Sequence, residues 1–273
     1  MQYAFVDNAR QEAFPRGKGI CPTCAGEMIA KCGNRIVHHW AHAHMQNCDP
    51  WWENETPWHR EWKSRFPPEC REISHVAEDG EIHRADVKTS TGIVIEFQHS
   101  AITDEERLAR ERFYKNVVWV VDGSGFVRNF DVLHMLPAPD AEIAQDIVWI
   151  KGARQFDGAA RGYFWRISEH PEALSQENAM VEIHGLSDIE KEVEAAYRGH
   201  HQFDWIRPRR AWLEATFPVY IDFGGDLLVK LGRYGPRNMP CVQYVSKRKF
   251  IHDASVESSA ALIATRFYPL EQS

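Results

Sequence analysis

The chain has 273 residues, 44% of them hydrophobic and 10 of them Trp, enough apolar material for one large domain or two modest ones. Its 32 basic and 39 acidic residues give a net charge of −7. This excludes a polycation that coats nucleic acid by charge alone, but not an enzyme whose bound cations restore local attraction. No stretch approaches the ~20 apolar residues of a membrane span, and the first residues lack the basic and apolar regions of a signal peptide, so a cytoplasmic protein without membrane association is expected.

Residues 1–17 read as a short lead-in with one strand, Tyr3 to Val6. Residues 18–50 are a Cys/His segment. Four of the six Cys (Cys21, Cys24, Cys32, Cys48) lie here, and eight of the 14 His precede residue 100. In a reducing compartment such a cluster reads as a metal site before it reads as disulfides. Cys21-Pro-Thr-Cys24 places two thiolates on one tight turn, and His39-Trp-Ala-His42 follows with two imidazoles. Two Cys and two His make a closed structural zinc set, and Cys21, Cys24, His39 and His42 are the favoured ligands. His38 with His42 is an alternative pair, His44 and Cys48 can also contribute, and Cys32 is a spare thiol. The segment is too short to bury a core, so a metal would substitute for one. A polar loop with incidental histidines is the plainer alternative, and the Cys-x-x-Cys spacing weighs against it. Cys70 and Cys241 stand alone and read as small core residues.

From residue 51 helix and strand signals alternate. Asn54 is a candidate N-cap, Pro57 suits a first turn, and a helix runs to about Arg65 before Pro67-Pro68 stops it. Strands follow at Glu72–Val76 and Ile82–Lys88, with a turn at Asp79-Gly80 between them, and then at Ile93–Gln98 after the turn Thr91-Gly92. Thr103 with Glu106 forms a capping box that opens a helix to about Lys115, and Val117–Val121 has the unbroken apolar character of a buried strand. The order is helix, three strands, helix, strand. Gly123 to Pro139 reads as loop. Beyond it, Ile147–Ile150 and Tyr163–Ile167 read as strands, and Ser187 with Glu190 caps a helix carrying Ile189, Val193 and Tyr197 that Gly199 ends. Val219–Phe223 and Asp226–Leu231 form a hairpin about Gly224-Gly225. The expected division is residues 1–50 as a zinc module, 51–135 as an α/β core and 140–273 as an α+β domain.

The chemistry concentrates in the core. Asp86 and Glu96 lie on successive strands joined by a Thr-Gly turn, so their side chains can converge at one end of the sheet. Glu96 interrupts an otherwise apolar strand, where an unpaired carboxylate is costly. Simple alternation on a solvated face would explain one such charge. Asp86 and Gln98 at matching positions favour a site instead. Carboxylates so placed can hold Mg²⁺ against a scissile phosphate. Upstream, Glu55, His59 and Lys63 recur at four-residue spacing on one helix face, which in isolation is an ordinary exposed face, while Trp58 and Trp62 form an adjacent stripe suited to packing.

These motifs resemble the competence protein CoiA-like family, in which a zinc-finger-like segment precedes a PD-(D/E)xK nuclease core. The resemblance rests on Cys-Pro-x-Cys at 21–24, His-Trp-Ala-His at 39–42 and Glu-x-x-x-His-x-x-x-Lys at 55–63. It continues through Arg84-Ala-Asp-Val and Ile95-Glu-Phe-Gln-His-Ser-x-Ile102. It implies a restriction-endonuclease-like core between the zinc module and the α+β domain, with catalytic Mg²⁺ or Mn²⁺ held by Asp86 and Glu96 and with Glu55 as an auxiliary carboxylate. Gln98 stands where the superfamily usually has Lys. Either activity is lost or another residue substitutes, and Lys63 and Lys88 are the candidates. The implied function is metal-dependent hydrolysis of phosphodiester bonds in DNA, serving uptake, recombination or defence. The alternatives are an inactive nuclease fold that binds nucleic acid or a protein partner, and a nuclease directed at RNA. Residues 140–273 resemble nothing that assigns a role.

Overall fold

The computed structural model describes residues 1–34, 37–44, 48–49, 51, 55–77, 80–152, 162–176, 178–235 and 237–256. Asn54 and Asp79 lie outside these, so half of the turn expected at Asp79-Gly80 is not described, and the N-cap of the first helix is Thr56 in place of the expected Asn54. The fold is mixed α/β and mostly sheet, in two compact units. The first holds residues 1–120 and, among the described residues, 251–256; the second holds 121–250. No helix among the described residues is long and apolar enough to cross a membrane.

The first unit opens with a five-stranded antiparallel sheet. Its strands are β1 (Tyr3–Val6), β2 (Ala9–Glu12), β3 (Lys18–Ile20), β4 (Glu27–Lys31) and β5 (His39–His42), in the order β2-β1-β3-β4-β5. The expected lead-in at 1–17 is therefore part of the Cys/His module. The expectation of a coreless module is also corrected: Met1, Ala4, Met28 and Trp40 close a small core around Cys21. Trp40 is 1% exposed and donates its indole N–H to the carbonyl of Gln11 at 2.9 Å, so one large side chain supplies much of what the short strands lack.

The rest of the unit runs α1 (Pro57–Ser64), β6 (Arg71–Val76), β7 (Ile82–Lys88), β8 (Val94–Gln98), α2 (Asp104–Tyr114) and β9 (Val117–Asp122). This is the helix, three strands, helix, strand order expected from the sequence. The strands neighbour one another as β9-β8-β7-β6, with β6, β7 and β8 antiparallel in sequence. Thr56 caps α1 by accepting from the His59 N–H, and Pro57 occupies the first turn. Thr103 caps α2, accepting from the Glu106 N–H at 3.1 Å, and Lys115 in the left-handed region ends it. Trp62, 1% exposed, stacks on Phe97 of β8 with ring centroids 5.6 Å apart, so the tryptophan stripe of α1 packs on the sheet. β9 is buried along its whole length.

The second unit contains β10 (Phe130–Pro137), α3 (Glu142–Asp146), β11 (Ile147–Trp149), β12 (Tyr163–Arg166), β13 (His184–Gly185), α4 (Glu190–Ala196) and β14 (Tyr197–Trp205). It continues with α5 (Arg210–Leu213), β15 (Val219–Asp222), β16 (Leu227–Tyr234), β17 (Met239–Ser246) and the start of α6 (Lys247–Val256). The hairpin β15–β16 is as expected, with Gly224 and Gly225 at φ +90° and +63°. Two expectations are corrected. The stretch 123–139 is a 3₁₀ turn followed by β10, whose register against β14 shifts twice and erases any clean alternation. Tyr197 begins a strand rather than completing the helix, because α4 stops at Ala196 and the chain pairs onward with β10 and β17.

Candidate metal centre and catalytic pocket

The metal centre is built by the first sheet. Cys21 directly follows β3, and its N–H donates to the carbonyl of Gly26 while its own carbonyl accepts from Ala25, closing the turn that carries Cys24. His42 ends β5. The sulfurs of Cys21, Cys24 and Cys48 and a ring nitrogen of His42 all lie within 4.8 Å of one another. Cys21 Sγ is 4.0 Å from Cys48 Sγ, and Cys24 Sγ is 3.2 Å from His42 Nε2. A tetrahedral zinc with sulfurs at about 2.3 Å needs ligand–ligand edges of about 3.8 Å, so three thiols and one imidazole fit the ion. Burial pushes the Cys48 thiol up to about 12, with Cys21 and Cys24 beside it adding to the rise. Burial also opposes the Cys21 thiolate, but the N–H groups of Cys24 and Thr23 outweigh it and lower that group. Zinc would replace a thiol proton at Cys48, the usual exchange at such centres.

His39 does not join this group; Cys48 takes the place expected for it. Alternation along β5 is the reason. Trp40 faces the core and His42 shares its side, opposite Met28, whereas His39 falls on the other face with its Nδ1 at 2.9 Å from the Val37 carbonyl. His38 and His44 are exposed and also stand apart.

Most of the catalytic candidates gather in one pocket of the same unit. Alternation on β7 buries His83, Ala85 and Val87 on one face and turns Arg84 and Asp86 into the pocket. β8 contributes Glu96, α1 contributes His59 and Lys63, and Glu55 lies just before α1. His59 locks α1 to β8: its Nε2 donates to the Phe97 carbonyl at 2.7 Å, and its Nδ1 lies 2.9 Å from the Thr56 hydroxyl.

Asp86 and Glu96 replace a piece of the ladder between their strands. The backbone pairing of β7 with β8 runs through Lys88↔Val94 and Val87↔Ile95. One step further, the Asp86 N–H donates to Glu96 Oε1 at 3.3 Å and the Phe97 N–H donates to Asp86 Oδ2 at 3.0 Å. Carboxylates thus take the place of backbone carbonyls, and the strands part where the pocket begins. Glu96 is 5% exposed and bonded to Arg110 Nη1 at 3.1 Å. Burial, reinforced by Asp86, nevertheless pushes its carboxyl up to about 8.

Lys63 is 2% exposed and surrounded by acids. It forms ion pairs with Glu55 and, at 2.9 Å, with Glu72, and stands 4.0 Å from Asp86. Burial opposes its charge, but Glu72, Asp86 and Glu55 outweigh that and raise its pKa. Arg60 shares Glu55 from the next turn of the helix. Lys88, the other cation expected to serve the site, lies outside the pocket lining with its Nζ 3.0 Å from His75 Nδ1. Gln98 is 1% exposed, does not line the pocket, and donates from Nε2 to Ser100 at 3.4 Å.

Three charged lining residues escape sequence reasoning, Asp49, Glu72 and Arg110, while Arg84 figures there only within the Arg84-Ala-Asp-Val motif. Asp49 accepts from the Arg84 N–H at 3.0 Å and lies 2.9 Å from His83 Nδ1. Its position directly after Cys48 was the available signal. Arg110 follows Glu106 by four residues, a spacing that reads as an ordinary helix pair. In all, five carboxylates and the three cations Lys63, Arg84 and Arg110 line the pocket. The Cys/His group is the only set of three or more metal-type ligand atoms converging among the described residues.

The sequence of the module can be compared with known families. Residues 7–50 match the family model described as competence protein CoiA, N-terminal domain. The match contains all four converging residues, Cys21, Cys24, His42 and Cys48, and ends before α1. No curated protein and no solved structure matches the chain.

Proposed function

We propose that the first unit is a Mg²⁺- or Mn²⁺-dependent nuclease of the PD-(D/E)xK type, hydrolysing phosphodiester bonds in DNA, with a zinc-bearing CoiA-like module in front. The observation that carries this reading is the gathering of five carboxylates against three cations in one pocket, where burial and then Asp86 raise the Glu96 carboxyl to about 8. Hard oxygen donors in such number suit a divalent cation, which would favour the ionised form of Glu96. The element order and the splitting of β7 from β8 at Asp86 and Glu96 support it further.

In this proposal Asp86 and Glu96 would hold the cation, with Glu55 in support. When bound, the cation would polarise the phosphate and make a coordinated water more acidic. Arg110 keeps Glu96 oriented, and His59 holds α1 against the strand that carries it. Lys63 has the wrong pKa direction for a general base at neutral pH, so its role is to present a fixed positive charge beside Asp86. The match at residues 7–50 suggests a competence-related role, and the same chemistry would serve recombination or defence. Incubating the purified protein with single- and double-stranded DNA and RNA, with and without Mg²⁺ or Mn²⁺, tests the reading; cleavage of DNA only with metal is expected, and no cleavage under any condition overturns it. The rival is a nuclease-like scaffold that binds nucleic acid without cutting it. It is favoured by Gln98, which supplies no cation, and would show retained binding with no cleavage.

A further inference from the structure

Glu72 lies between the metal-bearing module and the pocket, and nothing in the sequence marks it. It is 6% exposed. Its Oε1 accepts from Lys63 Nζ at 2.9 Å and from the Gln2 N–H at 2.9 Å, while Oε2 accepts from the Gln2 N–H at 2.9 Å and from the Tyr3 N–H at 3.3 Å. One carboxylate therefore ties the start of the first sheet to the lysine of α1. Its backbone is also unusual. Glu72 sits at φ +48°, a region that side chains other than Gly rarely enter, between the regular pairs Arg71↔Val87 and Ile73↔Ala85. Strain of this kind persists only where the surroundings enforce it, and it gathers at functional positions.

The consequence for Lys63 is geometric. Its ammonium has three acidic neighbours on different elements: Glu55 before α1, Glu72 on β6 and Asp86 on β7. Glu55 is shared with Arg60, and Asp86 is 4.0 Å away. Glu72 alone of the three also holds backbone N–H groups of the module, so it is the anchor that fixes where Nζ stands. We infer that Glu72 is a positioning residue that holds Lys63 beside Asp86, and that the first sheet of the module, through the N–H groups of Gln2 and Tyr3, holds Glu72. The module is then a working wall of the pocket as well as a carrier of zinc. This inference rests on the nuclease reading only for its kinetic consequence.

The test uses the whole 273-residue chain, loaded with zinc. Glu72→Gln keeps an acceptor for Gln2 and Tyr3 but removes the charge that holds Lys63, while Glu72→Asp keeps the charge and shortens the reach. A crystal structure of Glu72→Gln is expected to show Nζ displaced from its place near Asp86, with zinc content and the first sheet unchanged. Under the nuclease reading, kcat falls at least tenfold with KM for DNA within about threefold, Glu72→Asp recovers part of the loss, and the double variant Glu72→Gln/Lys63→Gln is no slower than Lys63→Gln alone, because two residues acting as one unit are not additive. Lys63 unmoved in the crystal, or losses that multiply in the double variant, overturns the positioning role. If Glu72→Gln alone does not fold, the double variant, which removes both charges of the pair, reports in its place by the same comparison with Lys63→Gln. A wild-type protein that cuts nothing would sink the nuclease reading while the crystallographic comparison still decides the placement of Lys63.

Discussion

The backbone N–H of Asp86 donates to the carboxylate of Glu96, across the point where β7 and β8 part. The bond makes the Glu96 side chain a structural member of the sheet as well as a candidate ligand. It also exposes the group to an electrostatic conflict, since its carboxyl is raised from 4.5 to about 8, first by burial and next by Asp86.

A stability prediction follows from that conflict. The folded chain keeps on Glu96 a proton that the unfolded chain releases, so this contribution is complete below about pH 4.5 and is lost as pH rises to about 8. Metal-free protein is expected to lose melting temperature across that window. Glu96→Gln should flatten this part of the profile, raising Tm at pH 8 by several degrees, with about 2–4 °C corresponding to each kcal/mol in a chain of this size. Calorimetry from pH 5 to 9 measures it, and equal slopes for the two proteins would contradict it.

Asp86→Asn and Glu96→Gln are each expected to reduce cleavage at least a hundredfold while leaving circular dichroism unchanged. The conservative forms matter: Asp86→Ala also strips the acceptor from the Phe97 N–H, which costs on the order of 1–3 kcal/mol when a buried donor is left unpaired. Asp86→Ala should therefore melt lower than Asp86→Asn, although both lose activity. Activity that survives either conservative change removes the metal role.

The two candidate lysines should behave oppositely. Lys63→Met removes the buried charge beside Asp86 and is expected to slow cleavage at least tenfold, leaving a measurable rate, whereas Lys88→Met removes the contact with His75 and should leave kcat within about twofold, as for other partly exposed pairs worth ~0–1 kcal/mol. Gln98→Lys would bury an ammonium at a position 1% exposed, so it should lower Tm and not raise activity. A gain in rate from that change would mean the site accepts a lysine on β8.

Elemental analysis of the purified protein is expected to give about one zinc per chain. Cys48→Ser and His42→Ala should lose it, and His39→Ala should keep it, because His39 faces away from the thiols. Zinc retained in Cys48→Ser but lost in His39→Ala would restore the Cys₂His₂ set that the sequence favours.

The sequence shows some of this plainly and hides the rest for physical reasons. The order of elements from α1 to β9 follows from Pro57, the Thr103 cap and the apolar run at Val117, all local signals. Asp86 and Glu96 stand out because a charge on a buried strand is anomalous. The candidate metal set is mostly visible: Cys21, Cys24 and His42 are among the expected ligands, but exchanging His39 for Cys48 requires knowing that residues 39–42 are extended, and short strands with few β-branched residues do not announce themselves. Glu72 and Arg110 are invisible, since each looks like an ordinary surface charge until β6 is paired with β7 and α2 brings Arg110 to Glu96. β10 escapes for another reason: its register shifts break the alternation by which strands are recognised.

Cys48 and Asp49 are joined by a single peptide bond, one belonging to the metal centre and the other to the pocket. A finger that merely grips nucleic acid can be exchanged for another along an evolutionary line, as a cassette. Here a transplant would carry away a pocket carboxylate with its last ligand and unseat Glu72 with its first strand. The module and the helix–strand core of this unit are therefore expected to be inherited together, and chimaeras that swap the first 50 residues should fold poorly even when the donor module binds zinc well.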